Sequence, residues 1–351
     1  MYVANRLAAA LCAAAVLSLS ALGVTAPSSA ARAAEVTLTV HHFLPPKANA
    51  HAKMIQVWAE RVQGQSGGRI AVEIFPAMTL GGKPPELYGQ VRDGTADIVW
   101  TLLGYTPGVF PRSEVYELPL VHGGSARATT IALNASYDML AGDFEDVQVL
   151  FLHAHDGNVI HSATRPVRSF DDVKGMKLRT PSRTGAWLLE AWNAEPVGLP
   201  VPALPQAMAK GVVDGALTTY EIVPALKLQD LDKHVTELPQ GQRFGTAVFM
   251  FAMNKQRYAE LPAELKAVID ANSREAVSAW VGGLWEGFEA GGVKALADAG
   301  VETITLAPEE AARFDAASEA VIARWVEEMQ RKGIDGAALV EKARAAIAAA
   351  D

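Results

Sequence analysis

The chain has 351 residues, of which 39 are acidic and 31 are lysine or arginine, giving a formal net charge of −8. Acidic and basic residues are mixed along the chain without a run of lysine or arginine, which argues against nucleic acid or an anionic membrane surface as partner. The single cysteine, Cys12, lies in the N-terminal segment described next. We therefore expect no disulfide, thiolate metal site or cysteine nucleophile in the folded part.

The N-terminal segment has the pattern of an export signal. Arg6 supplies a positive charge, an apolar run extends from Leu7 to Val24, and Ala31-Arg32-Ala33 resembles an A-x-A cleavage site. We predict a cleaved signal peptide at residues 1–34, which leaves about 317 residues (351 minus 34). That length exceeds what one hydrophobic core normally serves, so two lobes are expected. No later apolar run reaches the roughly 18 residues of a membrane span.

Strands and helices alternate along the rest of the sequence. Hydrophobic periodicity and turn residues predict strands at 36–40, 69–75, 96–100, 147–153, 177–179, 196–199, 212–216, 246–253 and 301–306. They predict helices at 50–63, 84–94, 125–140, 185–192, 204–210, 263–299, 308–332 and 334–349. This order of elements is typical of an α/β fold with mainly parallel sheets flanked by helices.

The segment 263–299 is predicted to be a helix of up to roughly 50 Å, because it contains no proline. A helix longer than one lobe should span the hinge between two, and Gly282-Gly283 and Gly291-Gly292 mark where it could bend or break. The apolar strand at 246–253 is expected to return to the first lobe. The expected lobes are 35–156 with 246–285, and 157–245 with 286–351.

Two motifs imitate catalytic sites. Gly64-Gln65-Ser66-Gly67-Gly68 fits the G-x-S-x-G pattern, but a helix precedes it and a strand follows, the reverse of a nucleophile elbow. His153-Ala154-His155 imitates a metal-binding pair at a strand end, yet only His161 and His234 follow it as further histidines. We interpret them as a glycine-rich turn and as ordinary strand-end histidines. No metal or cofactor is expected, and a metal- or serine-dependent hydrolase stays as the alternative.

An arginine at a strand end is the strongest candidate for binding. Arg179 ends a short predicted strand, and Pro181 prevents further ladder pairing. Its planar guanidinium can bind a carboxylate through two parallel hydrogen bonds. The alternative is an ordinary ion pair with an acidic neighbour such as Glu221.

Further candidates follow other predicted strands, at the edge where α/β clefts form. Aromatic, hydroxyl and carboxyl groups at this edge suggest recognition of a ligand, whereas core packing or, for Glu221, surface exposure is the alternative. The candidates are His42 after the first strand, Trp100 and Tyr105 after the third, and Thr218, Tyr220 and Glu221 after the strand at 212–216.

Five segments together resemble a known family. They are Gly94-Thr95-Ala96-Asp97-Ile98, Glu117-Leu118-Pro119-Leu120, Asp172-Val173-Lys174-Gly175-Met176-Lys177-Leu178-Arg179-Thr180-Pro181, Glu195-Pro196-Val197 and Gly211-Val212-Val213-Asp214-Gly215. In these segments the chain resembles the DctP-type extracytoplasmic solute receptors of tripartite ATP-independent periplasmic (TRAP) transporters. The resemblance covers the whole predicted mature chain.

The resemblance implies a two-lobe periplasmic receptor in which Arg179 holds the substrate carboxylate. Three departures from family patterns bear on the ligand. Val159 stands where sialic-acid-binding members have a second arginine, Ala216-Leu217-Thr218-Thr219 replaces Gln-Glu-Asn-Pro, and the pocket residue Val201 stands where some members have phenylalanine. These departures argue against sialic acid and long dicarboxylates, and favour one carboxylate with an uncharged or partly aromatic remainder.

We therefore expect a monomeric binding protein, not an enzyme, that closes around a small organic acid. The preferred ligand is a monocarboxylate of the aromatic, hydroxy or keto type, which the closed protein would deliver to TRAP membrane subunits driven by an ion gradient. Besides the hydrolase, a ligand-sensing protein that serves a signalling partner is an alternative with the same fold.

Overall fold

Two β-sheets form the framework of the computed structural model, which describes residues 34–351. Residues 1–33, with Cys12 and nearly all of the predicted signal peptide, lie outside the described residues. The strands are β1 Val36–His42, β2 Ile70–Phe75, β3 Ile98–Leu102, β4 Val147–Ala154, β5 Val159–Ser162, β6 Lys177–Thr180, β7 Glu195–Gly198, β8 Gly215–Thr218, β9 His234–Glu237, β10 Val248–Asn254 and β11 Glu302–Thr305.

The helices cover both sheets. They are α1 Gln56–Gln65, α2 Leu87–Arg92, α3 Ala126–Ala135, α4 Tyr137–Leu140, α5 Arg183–Ala191, α6 Leu204–Ala209, α7 Val223–Leu226, α8 Lys255–Ala259, α9 Ala263–Ala271, α10 Glu275–Asp298, α11 Pro308–Arg331 and α12 Gly336–Ala350. Within residues 34–351, none of these helices is both long and apolar enough to cross a membrane.

Both sheets are mixed. The first has the order β2-β1-β3-β10-β4, and the second has the order β11-β9-β5-β8-β6-β7. Among the described strands, five pairings are parallel and four are antiparallel, the latter all involving β10 or β5. The strand predicted to return to the first lobe is β10, which lies inside the first sheet. The α/β fold with two lobes is therefore confirmed, with less parallel pairing than the sequence suggested.

The predicted helix at 263–299 is two helices, and the break lies at neither of the glycine pairs where a bend or break was expected. The break lies between α9 and α10, where Arg274 has φ 50° and ψ −126°. Tertiary contacts hold this break, since Trp58 Nε1 donates to the Asn272 carbonyl at 2.9 Å and the Arg274 N–H donates to the Leu150 carbonyl at 2.5 Å. Sequence periodicity contains no signal for such contacts.

Glycines inside α10 allow close packing instead of breaking the helix. A Cβ on Gly282 would lie 2.6 Å from the Cα of Arg127 in α3, and one on Gly292 would collide with the Tyr220 carbonyl oxygen. Helix α10 thereby packs on α3 and β4 beside the first sheet, and on the turn at Tyr220–Ile222 and on β11 at the second. It spans both halves of the molecule, as predicted for the long helix.

Three strands differ from the predicted elements. β5 and β9 were not predicted, because each has only four residues and lacks a long apolar run. β8 begins at Gly215, three residues after the predicted start, because the N–H groups of Val212 and Val213 both donate to the Ala207 carbonyl.

Helix α12 packs against α3, beside the first sheet. The lobe boundaries given above remain a prediction.

Glu117 is a buried carboxyl at the contact between elements of the two halves. Its Oε1 accepts a hydrogen bond from the Val248 N–H at 2.9 Å, and its Oε2 accepts one from the Thr184 hydroxyl at 3.3 Å. Burial raises the pKa of Glu117 to about 8, more than these hydrogen bonds lower it. The folded protein therefore holds a proton on this carboxyl at pH values where an unfolded chain has released it.

We expect this proton to make the unfolding temperature fall as the pH rises from about 5 to about 8, because folding then requires proton uptake. Glu117→Gln should flatten that part of the profile, whereas Glu60→Gln, at an exposed position, should leave it unchanged. Thermal unfolding followed by circular dichroism across this pH range measures the effect. A Glu117→Gln profile parallel to that of the wild type would contradict the assignment.

Candidate functional site

A cavity of about 410 Å³, including its opening to solvent, lies between the two sheets. The first sheet and its loops contribute Phe43, Trp100, Tyr105 and Phe249 to the wall, and α10 contributes Trp285. The second sheet and its loops contribute Arg179, Val201, Thr218 and Glu221, and the segment joining β4 to β5 contributes His155 and Asn158.

Six of the eight predicted binding residues line this cavity, and they come from both sheets. They are Trp100, Tyr105, Arg179, Val201, Thr218 and Glu221. The ends of β3, β6 and β8 meet at this place, which explains why residues at or after strand ends were informative.

His42 and Tyr220 lie outside the cavity wall, which differs from the prediction. The His42 ring is fully buried, with Nε2 2.9 Å from His51 Nδ1, and it packs edge-on against Trp100 at 6.2 Å between ring centroids. The Tyr220 hydroxyl donates to the Glu237 carboxylate at 2.9 Å. His42 ends β1 and Tyr220 follows β8, but both side chains are buried in the core, where His42 packs against the cavity residue Trp100.

Arg179 is a buried cation without an acidic partner among the described residues. It is 2% exposed, and strand β6 holds it between β7 and β8. Its Nε donates to the Leu199 carbonyl at 2.9 Å, while its Nη2 is buried without a hydrogen-bond partner in residues 34–351. Burial lowers the pKa of Arg179, which expresses the cost of keeping this charge away from water. The predicted alternative, an ion pair with Glu221, is not found among residues 34–351, and no acidic side chain is among the groups that shift the Arg179 pKa.

Two further hydrogen-bond donors lie beside Arg179. The Tyr105 oxygen accepts from the Val201 N–H at 2.9 Å, which leaves its own proton free to donate, and burial raises the pKa of Tyr105. His155 Nδ1 accepts from the Gly157 N–H at 3.0 Å, and burial lowers the pKa of His155 well below its usual range. The neutral ring therefore carries its proton on Nε2. Together the three side chains form a site rich in donors, suited to an anion.

Flat aromatic faces form much of the remaining wall. Phe43 stacks on Trp100 at 4.8 Å between ring centroids, and Phe249 stacks on Trp100 at 5.0 Å with parallel planes. Trp285 lies 5.5 Å from Phe249. Trp100 is fixed in position because its Nε1 donates to His153 Nε2 at 2.8 Å. Such walls favour a planar apolar group by dispersion and ring stacking.

Ser66 and His153, from the two motifs that imitate catalytic sites, are engaged away from the cavity, whereas His155 lines it. The Ser66 hydroxyl donates to the Gln63 carbonyl and accepts from the Ile70 N–H, within the turn between α1 and β2. His153 accepts from Trp100, and burial lowers its pKa to about 3. Residues 34–351 contain no group of histidine, cysteine and acidic side chains that could hold a metal ion.

Five other wall residues carry little signal in the sequence: Phe43, His155, Asn158, Phe249 and Trp285. Phe43 directly follows β1, beside the predicted His42, and His155 was noted only as part of a weak metal motif. Phe249 and Trp285 look like ordinary core residues of a strand and a helix. Only the pairing of β10 with β3, and the packing of α10 on β4 and on the turn at Tyr220–Ile222, brings them to the cavity.

The comparisons with known proteins agree with this arrangement. The sequence profile of the bacterial extracellular solute-binding proteins, family 7 (DctP), matches residues 40–329. A crystal structure of a TRAP solute-binding protein specific for aromatic acid ligands, from an unidentified microbe of a marine metagenome and in complex with 3-hydroxybenzoate, is 43% identical to this chain. That match has a TM-score of 0.89 and covers 91% of this chain and 100% of the other.

Two further relatives agree. A TRAP solute-binding protein from Rhodoferax ferrireducens T118, in complex with copurified benzoate, is 39% identical, with a TM-score of 0.85 over 90% of this chain and 98% of the other. The C4-dicarboxylate-binding periplasmic protein DctP of Rhodobacter capsulatus is 26% identical over 273 residues, covering 77% of this chain and 79% of that protein. Because the family profile spans most of the sequence, the chain belongs to the family 7 extracellular solute-binding proteins, the DctP-type receptors of TRAP transporters.

Proposed function

We propose that this receptor binds a small aromatic monocarboxylate between its two lobes and delivers it to TRAP membrane subunits. Receptors of this family are periplasmic, and we extend the proposal to cleavage of the export signal near residue 34. The observation that carries the ligand class is the buried Arg179 guanidinium, whose Nη2 has no partner among the described residues, at the edge of an aromatic-walled cavity.

One buried arginine favours a ligand with one carboxylate. The guanidinium can make a charge-assisted contact through Nη2, with Tyr105 and His155 adding hydrogen bonds from neutral donors. Arg179 is the only arginine among the described residues that line the cavity, so a second ligand carboxylate would find no arginine there and would approach the carboxyl of Glu221. The charges in the cavity thus oppose a dicarboxylate.

The aromatic wall favours a planar ring as the rest of the ligand. The faces of Phe43, Trp100, Phe249 and Trp285 supply apolar contact area over a planar group. The two related receptors that are 43% and 39% identical hold 3-hydroxybenzoate and benzoate. This similarity supports an aromatic acid for the present cavity as well.

Ligand binding is expected to favour a closed arrangement, because the cavity wall combines residues from both sheets. A ligand that contacts both halves stabilises the closed state through contacts that an open state lacks. Next to Arg179 the halves meet tightly: a Cβ on Gly104, in the turn after β3, would lie 2.6 Å from Ser182 Cβ and 3.0 Å from the Pro181 carbonyl oxygen. We propose that this glycine permits full closure.

Removing Arg179 should abolish most of the affinity for benzoate. Arg179→Ala is expected to weaken binding by about 2–5 kcal/mol, because the ligand charge would be buried unpaired. In thermal unfolding, a ligand at 100 times its dissociation constant adds about 2.7 kcal/mol, a shift of a few degrees, which the variant should lose. Isothermal titration calorimetry then gives the affinities directly.

The protein should be unfolded and refolded before the titration, so that retained natural ligand is removed. Arg168→Ala is the matched control, since Arg168 is exposed and pairs with Glu302 on the surface. It should bind benzoate like the wild type. Tight binding of benzoate by Arg179→Ala would refute the assigned role of Arg179.

Adding a methyl group at Gly104 should hinder closure. We expect Gly104→Ala to weaken benzoate binding at least about tenfold, since a contact of 2.6 Å must be relieved by moving the halves apart or by shifting Ser182. Gly283→Ala is the control, because its added Cβ would meet nothing within 4 Å. Calorimetric titration of both variants measures the difference. Equal affinities would show that the Gly104 contact does not limit closure.

A further inference from the structure

Two buried hydrogen-bond acceptors in the cavity lack partners. Asn158 Oδ1 and Glu221 Oε1 are both buried and make no hydrogen bond to any described residue. Asn158 is 7% exposed, Glu221 is 2% exposed, and both line the cavity. A buried acceptor without a donor costs free energy, so such atoms in a binding site indicate a group that the ligand supplies.

Strand pairing separates these acceptors from Arg179. On one side of β8, Arg179 of β6 pairs with Ala216, and on the other side Val159 of β5 pairs with Thr218. Asn158 immediately precedes Val159, so it lies two strand spacings from Arg179, about 10 Å across the sheet. The side of the cavity that bears the unpaired acceptor of Asn158 is therefore distinct from the side on which Arg179 would bind the carboxylate.

Glu221 follows the end of β8, three residues after Thr218. Its backbone N–H donates to the Thr219 hydroxyl at 3.3 Å, and that hydroxyl donates to Glu289 of α10 at 3.1 Å. Trp285 lies one helical turn before Glu289, on the same face of α10. The indole Nε1 of Trp285 is also buried without a partner among the described residues. Two unpaired acceptors and one unpaired donor thus line the cavity.

We propose that Asn158 and Glu221 bind a hydroxyl group on the ring of the ligand, so that the substrate class is the hydroxylated aromatic monocarboxylates. This inference rests on the proposed function. A hydroxyl donates one proton and accepts through its oxygen, and so it can satisfy an acceptor and the Trp285 N–H at once. A bare ring, a methyl or a halogen leaves these atoms unpaired, and a second carboxylate adds a like charge beside Glu221.

Glu221 suits this role in either protonation state. Burial raises its pKa to about 7, with Glu289 adding to the rise. The ionised carboxylate accepts a short hydrogen bond from a hydroxyl, and the protonated acid donates one to the hydroxyl oxygen. Asn158 Oδ1 can only accept. One ligand hydroxyl therefore satisfies both side chains when Glu221 is protonated, whereas beside an ionised Glu221 its single proton serves one of the two acceptors.

The test compares benzoate with 3-hydroxybenzoate and 4-hydroxybenzoate, by isothermal titration calorimetry on refolded protein. The wild type should bind at least one hydroxybenzoate about tenfold or more tightly than benzoate. Glu221→Leu and Asn158→Leu should each reduce this preference to about threefold or less, while benzoate binding persists. Glu221→Gln has the native shape and should reduce the preference by a smaller factor, which keeps the test valid if a leucine variant does not fold.

Glu190→Gln is the control, an exposed carboxyl that lies outside the cavity wall and pairs with Arg324 on the surface, and it should keep the full preference. Equal binding of all three acids by the wild type, or an unchanged preference in the Glu221 and Asn158 variants, would overturn the inference while leaving an aromatic-acid receptor in place. Failure of all three acids to bind would instead refute the proposed function.

Discussion

The cavity depends on one unfavourable feature, a guanidinium that is buried without a counter-ion among the described residues. Burying an unpaired charge costs several kcal/mol. In the closed state, a bound anion would offset that cost. Arg179 is nevertheless fixed in place, by its strand and by its bond to the Leu199 carbonyl. An open cleft would let water solvate it. We therefore expect closure and anion binding to be coupled, because closure removes the water that solvates Arg179 and the bound anion offsets the cost of that desolvation.

The aromatic wall is positioned by histidines that remain neutral. Burial lowers the pKa of His42 and His153 to about 3, so neither adds positive charge behind Trp100 at neutral pH. His153 can then accept the indole proton of Trp100, and His42 packs against the edge of that ring. These histidines act through packing and hydrogen bonding. Among the described residues that line the cavity, Arg179 is the one lysine or arginine, and it shares the wall with Glu221, whose pKa burial raises to about 7.

The fold could be predicted largely from the sequence because periodicity and turn residues report local structure. The strands bearing Trp100 and Arg179 were predicted at nearly their observed positions, and Pro181 ends β6 as expected. The prediction failed where long-range contacts decide. The break at Arg274 depends on the carbonyl of Leu150, and the glycines of α10 are tolerated because neighbouring backbone requires the space. The late start of β8 also arises from a turn that closes on Ala207.

The sequence by itself determined the α/β class and the family, and it pointed to an arginine at a strand end, since these depend on local pattern and on motifs. Only the tertiary structure decided which side chains share a cavity. Phe249, Trp285 and Asn158 come from a strand, a helix and a linking segment far apart in the chain, and His42 and Tyr220 turn into the core. Whether a polar atom is left without a partner is likewise a property of the assembled packing, because every element around that atom must be in place before its partners can be counted.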